Sequence, residues 1–178
     1  MANLPVFLAD HAVCEQQATL TALNLVAFYP LDDELVRKMT ALAVEEATHL
    51  RRVTRLLHER GFQLARRRPN PYVQGLVSRL RRDREQELKV DRLLVGALIE
   101  ARSCERFTRL LQVVGDSDPS LTRLLDDLGP AERRHWEMFF ALAGREIRPE
   151  LLTGRWQEWL AWEDELMSTR GLEPTVHG

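Results

Sequence analysis

Apolar positions recur along this chain at alternating spacings of four and three, and strict two-residue alternation is nearly absent. That period belongs to helices with one buried face. Four such seams can be read. The first is Leu8, His11, Glu15, Ala18, Ala22 and Leu25, and the second is Leu35, Met39, Leu42, Glu46, His49, Val53 and Leu56. The third is Leu93, Ala97, Glu100, Cys104, Phe107, Leu111 and Val114, and the fourth is Leu121, Leu125, Leu128, Glu132, His135, Phe139 and Leu142. The pattern predicts an all-α antiparallel four-helix bundle with additional short helices.

Stop and start signals divide the seams into elements. A first helix spans about 4–29, with Pro5 in its first turn and Pro30 closing it. Asp32 or Asp33 caps a second, which stops at Gly61. Residues 64–71 carry two prolines and read as a loop, followed by a short helix from Tyr72. A long helix covers about 85–114 and ends at Gly115; Asp118-Pro119 opens another that reaches about 143, with a kink or break expected at Gly129-Pro130. A last helix near 155–167 carries Trp156, Trp159 and Trp162 at helical spacing, as core or subunit-contact residues. Residues 1–178 are expected to form one domain, with the bundle at about 4–145 and a helical extension at about 150–170.

Each seam is apolar except near its centre, where a carboxylate sits. An isolated carboxylate facing an apolar core is costly and tends to take up a proton. Four at matched depth, with two histidines, call for cations instead. Glu15 precedes Glu46 by 31 residues and Glu100 precedes Glu132 by 32, so the arrangement repeats. Each second glutamate is followed three residues later by histidine, in Glu46-Ala-Thr-His49 and Glu132-Arg-Arg-His135. Residues i and i+3 share a helix face and can reach one metal. One Glu from each of two helices and Glu-x-x-His from each of two others is the ligand set of ferritin-like di-iron or di-manganese carboxylate proteins. The candidate ligands are therefore Glu15, Glu46, His49, Glu100, Glu132 and His135. Iron is the favoured metal and manganese its competitor, since carboxylate and imidazole donors suit both.

Neighbouring groups compete for these roles. Glu105 rivals Glu100, because Cys104-Glu105 echoes Cys14-Glu15, but it lies one step past the seam. Glu45 is also out of phase. His11, one turn before Glu15, reads as a supporting or core residue, and His58 and His177 as surface residues. Cys14 and Cys104 read as packing residues, and two cysteines cannot supply a disulfide framework or a four-thiolate site.

Composition narrows the class and reveals a charge asymmetry. With 44% hydrophobic and 29% charged residues, the 178-residue chain can bury a core and is not that of a disordered protein. No apolar run nears the roughly 20 residues that span a bilayer. The first basic residue is Arg37, so a secretory leader is not expected and a cytoplasmic location is. The net charge of −2 conceals 13 Lys/Arg against 5 Asp/Glu within residues 51–92. Nearly all the basic residues there are arginine, which suits phosphate recognition; a solvated helix face is the plain alternative.

Three stretches resemble a known family: Asp10-His-Ala-Val-Cys-Glu15, Thr21-Ala-Leu-Asn-Leu25, and Val95-Gly-Ala-Leu-Ile-Glu-Ala-Arg-Ser-Cys-Glu-Arg-Phe107. With Glu45-Glu46-Ala-Thr-His49 and Ala131-Glu-Arg-Arg-His135, they are similar to the bacterial tRNA 2-methylthio-N6-isopentenyladenosine hydroxylases. The resemblance covers about residues 4–145. It implies an O2-dependent di-iron monooxygenase that hydroxylates the isopentenyl group of an adenosine beside the anticodon, with the six residues above as iron ligands. Two electrons must come from an external ferredoxin or reductase, because the chain has no Rossmann fingerprint or iron–sulfur cysteine set. Arg66, Arg67, Arg68, Arg79, Arg81, Arg82 and Arg84 are the candidate contacts to the tRNA backbone. Leu25, Phe107 and Phe139 are candidate walls for the prenyl tail. The competing functions are a ferritin-like di-iron oxidase or peroxidase acting on small oxidants, and a non-catalytic tRNA-binding bundle.

Overall fold

Helix α1 (Leu4–Phe28) ends where Pro30 cannot continue it, and a tight turn leads into α2 (Asp33–Glu59). Asp32 caps α2 by accepting from the Leu35 N–H at 3.0 Å, satisfying one of the donors a helix start leaves open. The computed structural model describes residues 4–64 and 70–168. Among these, six α-helices and one 3-10 turn are found and no strand. They fall into two compact units: residues 4–64 with 116–124, and residues 70–115 with 125–168.

In the first unit α1 and α2 form a hairpin packed along its length. Every seam residue of α2 is buried; on α1, Ala18 is only half-buried. Gly61 terminates the hairpin at φ +72°, a conformation that a Cβ would strain. The first turns of α5 (Pro119–Gly144) belong to this unit. Asp118 caps them through the Leu121 N–H at 3.1 Å and takes a 2.7 Å hydrogen bond from Arg60 beyond the end of α2. That bond, with partial burial opposing it, holds the Asp118 carboxyl at about 2.

The second unit contains α3 (Pro71–Ser78), α4 (Glu85–Val114), the remainder of α5, and α6 (Pro149–Ser168), which packs on α3 and α4. Its largest buried side chains include Trp159, Tyr72, Phe107 and Phe139. Trp156 and Trp162 are half-buried; Trp156 meets the edge of Phe140 at 5.4 Å, and Trp162 that of Trp159 at 5.1 Å.

Prolines account for three departures from the sequence expectation. The short helix begins at Pro71 rather than Tyr72, because Asn70 caps it and proline at the first position removes an N–H that would have no partner. The last helix begins at Pro149, six residues earlier than expected, for the same reason. Helix α5 runs unbroken through Gly129-Pro130. The carbonyl that loses its donor there belongs to Asp126, which is exposed, as is Pro130, so water can replace the missing bond.

Candidate metal centre

Each unit carries its own trio of buried ligand-type side chains. In the first, α1 presents Glu15 and α2 presents Glu46 and His49, one helical turn apart. Their donor atoms lie within 4.8 Å of one another. His49 Nδ1 is 3.2 Å from a Glu46 oxygen and 3.8 Å from Glu15 Oε2, and the other Glu15 oxygen is 2.5 Å from His11 Nε2. All four side chains are buried. His11 thus contacts the trio through Glu15 and orients that carboxylate.

The second trio repeats the first in chemistry and spacing. Helix α4 presents Glu100, and α5 presents Glu132 and His135, again with donor atoms within 4.8 Å of one another and all buried. His135 Nδ1 lies 4.0 Å from Glu100 Oε2. Glu105 points elsewhere: its side chain is 43% exposed and accepts from Arg102 and Arg109, each at 2.9 Å. The Arg102 hydrogen bond holds its carboxyl below the usual range. Glu45 is half-buried, His58 is exposed, and His177 lies outside the described residues.

Two carboxylates and an imidazole in a buried space suit a divalent cation. Ionised and alone, the carboxylates would repel each other and lose their hydration; a cation reverses both effects. The donor set is that of an O/N site for iron, manganese or zinc, not a thiolate site. Cys14 and Cys104 are half-buried beside these seams, and burial pushes the Cys104 thiol up, which keeps it protonated and favours packing over redox chemistry.

A model of the family described as tRNA-(MS[2]IO[6]A)-hydroxylase (MiaE) matches residues 1–178. The chain belongs to this hydroxylase family. Among relatives, it is 41% identical over 143 residues to the tRNA 2-(methylsulfanyl)-N(6)-isopentenyladenosine(37) hydroxylase of Pseudomonas putida, an alignment covering 80% of this chain and 68% of that protein. It is 27% identical over 200 residues to the Salmonella typhimurium protein of the same name, covering 86% and 72%. Among solved structures, a protein from Synechococcus titled as having aldehyde deformylating oxygenase activity matches with a TM-score of 0.91 and 29% identity. That match covers 99% of this chain and 88% of the other. The fold of this family member is thereby all-α and ferritin-like, as the four seams predict. Its buried glutamate and histidine clusters are compatible with a two-metal site.

The arginines proposed for tRNA have unequal surroundings in this hydroxylase. Arg66, Arg67 and Arg68 lie outside the described residues. Arg84 is 80% exposed, and Arg82 is exposed with one bond to the Val77 carbonyl. Arg79 is half-exposed, 3.2 Å from Glu165 and over the Trp162 ring. Arg81 is committed internally, binding the fully buried Asp91 through its backbone N–H at 2.8 Å and its guanidinium at 3.1 Å. The proposed prenyl walls Leu25, Phe107 and Phe139 are core residues, with Phe139 packed onto Gly96.

Sequence reasoning passed over two buried acids. Asp91 accepts from Arg155 twice at 2.7 Å as well as from Arg81 and, at 3.4 Å, Trp159. Glu163 accepts from the Tyr72 hydroxyl at 2.7 Å and from Arg102 at 2.7 and 2.5 Å. Burial and the adjacent Glu163 push the Tyr72 hydroxyl far above its ordinary range. Together these clusters fasten α6 to α4 and α3. The available signal was an acid at helical spacing from Trp159, readable as Trp159-x-x-x-Glu163.

Proposed function

We propose that this chain hydroxylates the isopentenyl group of 2-methylthio-N6-isopentenyladenosine beside the tRNA anticodon, using O2 at a di-iron centre. Glu15, Glu46 and His49 hold one iron, and Glu100, Glu132 and His135 hold the other. The supporting observation is the duplicated buried trio in a member of a tRNA hydroxylase family. Bound iron would supply the reduction of O2 and the oxidation of an allylic C–H bond of the isopentenyl group.

The chain's own part is to hold and shield. Leu8, Leu42 and Val53 flank the first trio along its seams, and Leu128 and Phe139 flank the second; all are buried and exclude water. His11 keeps Glu15 oriented through their 2.5 Å contact. The overall balance is C–H plus O2, two electrons and two protons giving C–OH plus water. An external ferredoxin or reductase delivers the electrons. Arginines of the 51–92 segment meet the tRNA backbone, and the cytoplasm is the proposed location.

Nucleoside mass spectrometry tests this directly. Prenylated, unhydroxylated tRNA is incubated with iron-loaded protein, a reductant and O2. Gain of one oxygen atom on the prenylated adenosine, lost in Glu132→Ala, is the expected result. Bound iron and O2 consumption without that gain would move the substrate elsewhere and leave the metal centre standing.

A further inference from the structure

The two trios share a donor set but not their surroundings, and the difference lies one helical turn from the ligands. Four residues before Glu15 stands His11; four residues before Glu100, on the matching helix of the repeat, stands Gly96. Four residues after His49 stands Val53, and four after His135 stands Phe139. All four positions are buried. The pairs exchange bulk: a large ring on α1 goes with the smaller Val53 on α2, and a glycine on α4 goes with a large ring on α5. A Cβ on Gly96 would stand 3.0 Å from the Phe139 ring, so that ring takes the space a side chain at 96 would need.

The consequence falls on one ligand. His11 Nε2 lies 2.5 Å from Glu15 Oε1, and an ionised carboxylate only accepts, so the imidazole donates. Phe7, a turn earlier, tilts against the His11 ring with centroids 5.8 Å apart and steadies it. With Oε1 tied in this way, Glu15 offers Oε2, which lies 3.8 Å from His49 Nδ1. Position 96 has no side chain with which to orient Glu100.

We infer that the two metal positions are unequal. The one formed by Glu15, Glu46 and His49 binds its ion first and more tightly, because His11 holds Glu15 in place; the one formed by Glu100, Glu132 and His135 fills second. His11 is thus a positioning residue for one metal only. A donor held in place before the ion arrives loses less freedom on binding. Partners that orient a ligand in this way are worth about 10- to 100-fold in metal affinity. This inequality rests on the two-metal reading above, and it makes the second position the one that gives up its ion more readily.

Calorimetry of Mn(II) binding to the metal-free full chain tests it, since carboxylate-rich sites accept this ion. Two classes of site differing by about 10- to 100-fold are expected. His135→Ala should abolish the weak class and keep the tight one, and His49→Ala should do the reverse. His11→Ala should bring the tight class down to the weak one. His11→Gln, whose amide N–H can still donate to Glu15, should restore part of the gap. Helicity and thermal melts of each metal-free variant identify any that does not fold, and the two ligand variants decide the question if His11→Ala is among them. Two ions bound with equal affinity, or a tight class that survives His49→Ala, would overturn the inequality and leave the two-metal reading standing. So would a folded His11→Ala variant in which the tight class weakens no more than the weak one. A wild-type chain that binds no Mn(II) or Fe(II) would overturn both together.

Discussion

Asp91 is fully buried and ionised, and its neighbours explain how. Burial alone pushes its carboxyl up, but the hydrogen bonds from Arg155 and Arg81 outweigh that and hold it below the ordinary 3.8. The linkage sign follows: the native state binds the proton more weakly than the unfolded chain, as at Asp118. The stabilisation is therefore complete above about pH 4–5 and falls away as acid titrates these groups below their unfolded values. Asp91→Asn should leave two guanidinium groups poorly matched and cost about 3–5 kcal/mol in urea unfolding. It should also flatten the acid limb of Tm against pH. A loss under about 1 kcal/mol would show that Arg155 finds another partner. The metal candidates make a different residue-scale prediction. Glu100→Gln should reduce bound iron in metal analysis, whereas Glu105→Gln should not, since Glu105 is half-exposed and engaged by two arginines.

Helix boundaries depend on short-range chemistry, and glycines within the helices depend on what packs against them. Gly96 and Gly154 both lie inside helices. A Cβ on Gly96 would stand 3.0 Å from the Phe139 ring, while one on the exposed Gly154 has no heavy atom outside its own helix within 4 Å. Gly96→Ala is accordingly expected to destabilise by about 1–3 kcal/mol through overpacking. Gly154→Ala should be neutral or stabilising by up to about 1 kcal/mol through helix propensity. Thermal melts of the two variants separate these outcomes. Capping residues and seams were legible because they act within a few residues. The course of α5 through Pro130 was not, because it depends on whether the Asp126 carbonyl faces water or core, which only packing decides.

At the scale of the molecule, the charge asymmetry bears on partners. Residues 51–92 carry a net +8 on a chain of net −2, which favours association with a polyanion. Replacing Arg66, Arg67 and Arg68 together with alanine should weaken tRNA binding. It should also reduce the slope of log affinity against log salt by about 2–3. An unchanged slope would assign the basic segment to solvent. Arg81 is a poorer candidate for tRNA than its place in the segment suggests, because Asp91 holds it.

The sequence by itself determined the helical class, the four seams and a duplicated pair of Glu and Glu-x-x-His. All of these follow from periodicity and from the cost of a carboxylate on an apolar face. Only the tertiary structure decided which acid faces inward at the Glu100 and Glu105 pair, which arginines are committed to buried partners, and what fills the space beside Gly96. Those outcomes arise between residues as far apart as Asp91 and Arg155, whose meeting depends on how helices dock rather than on any local pattern.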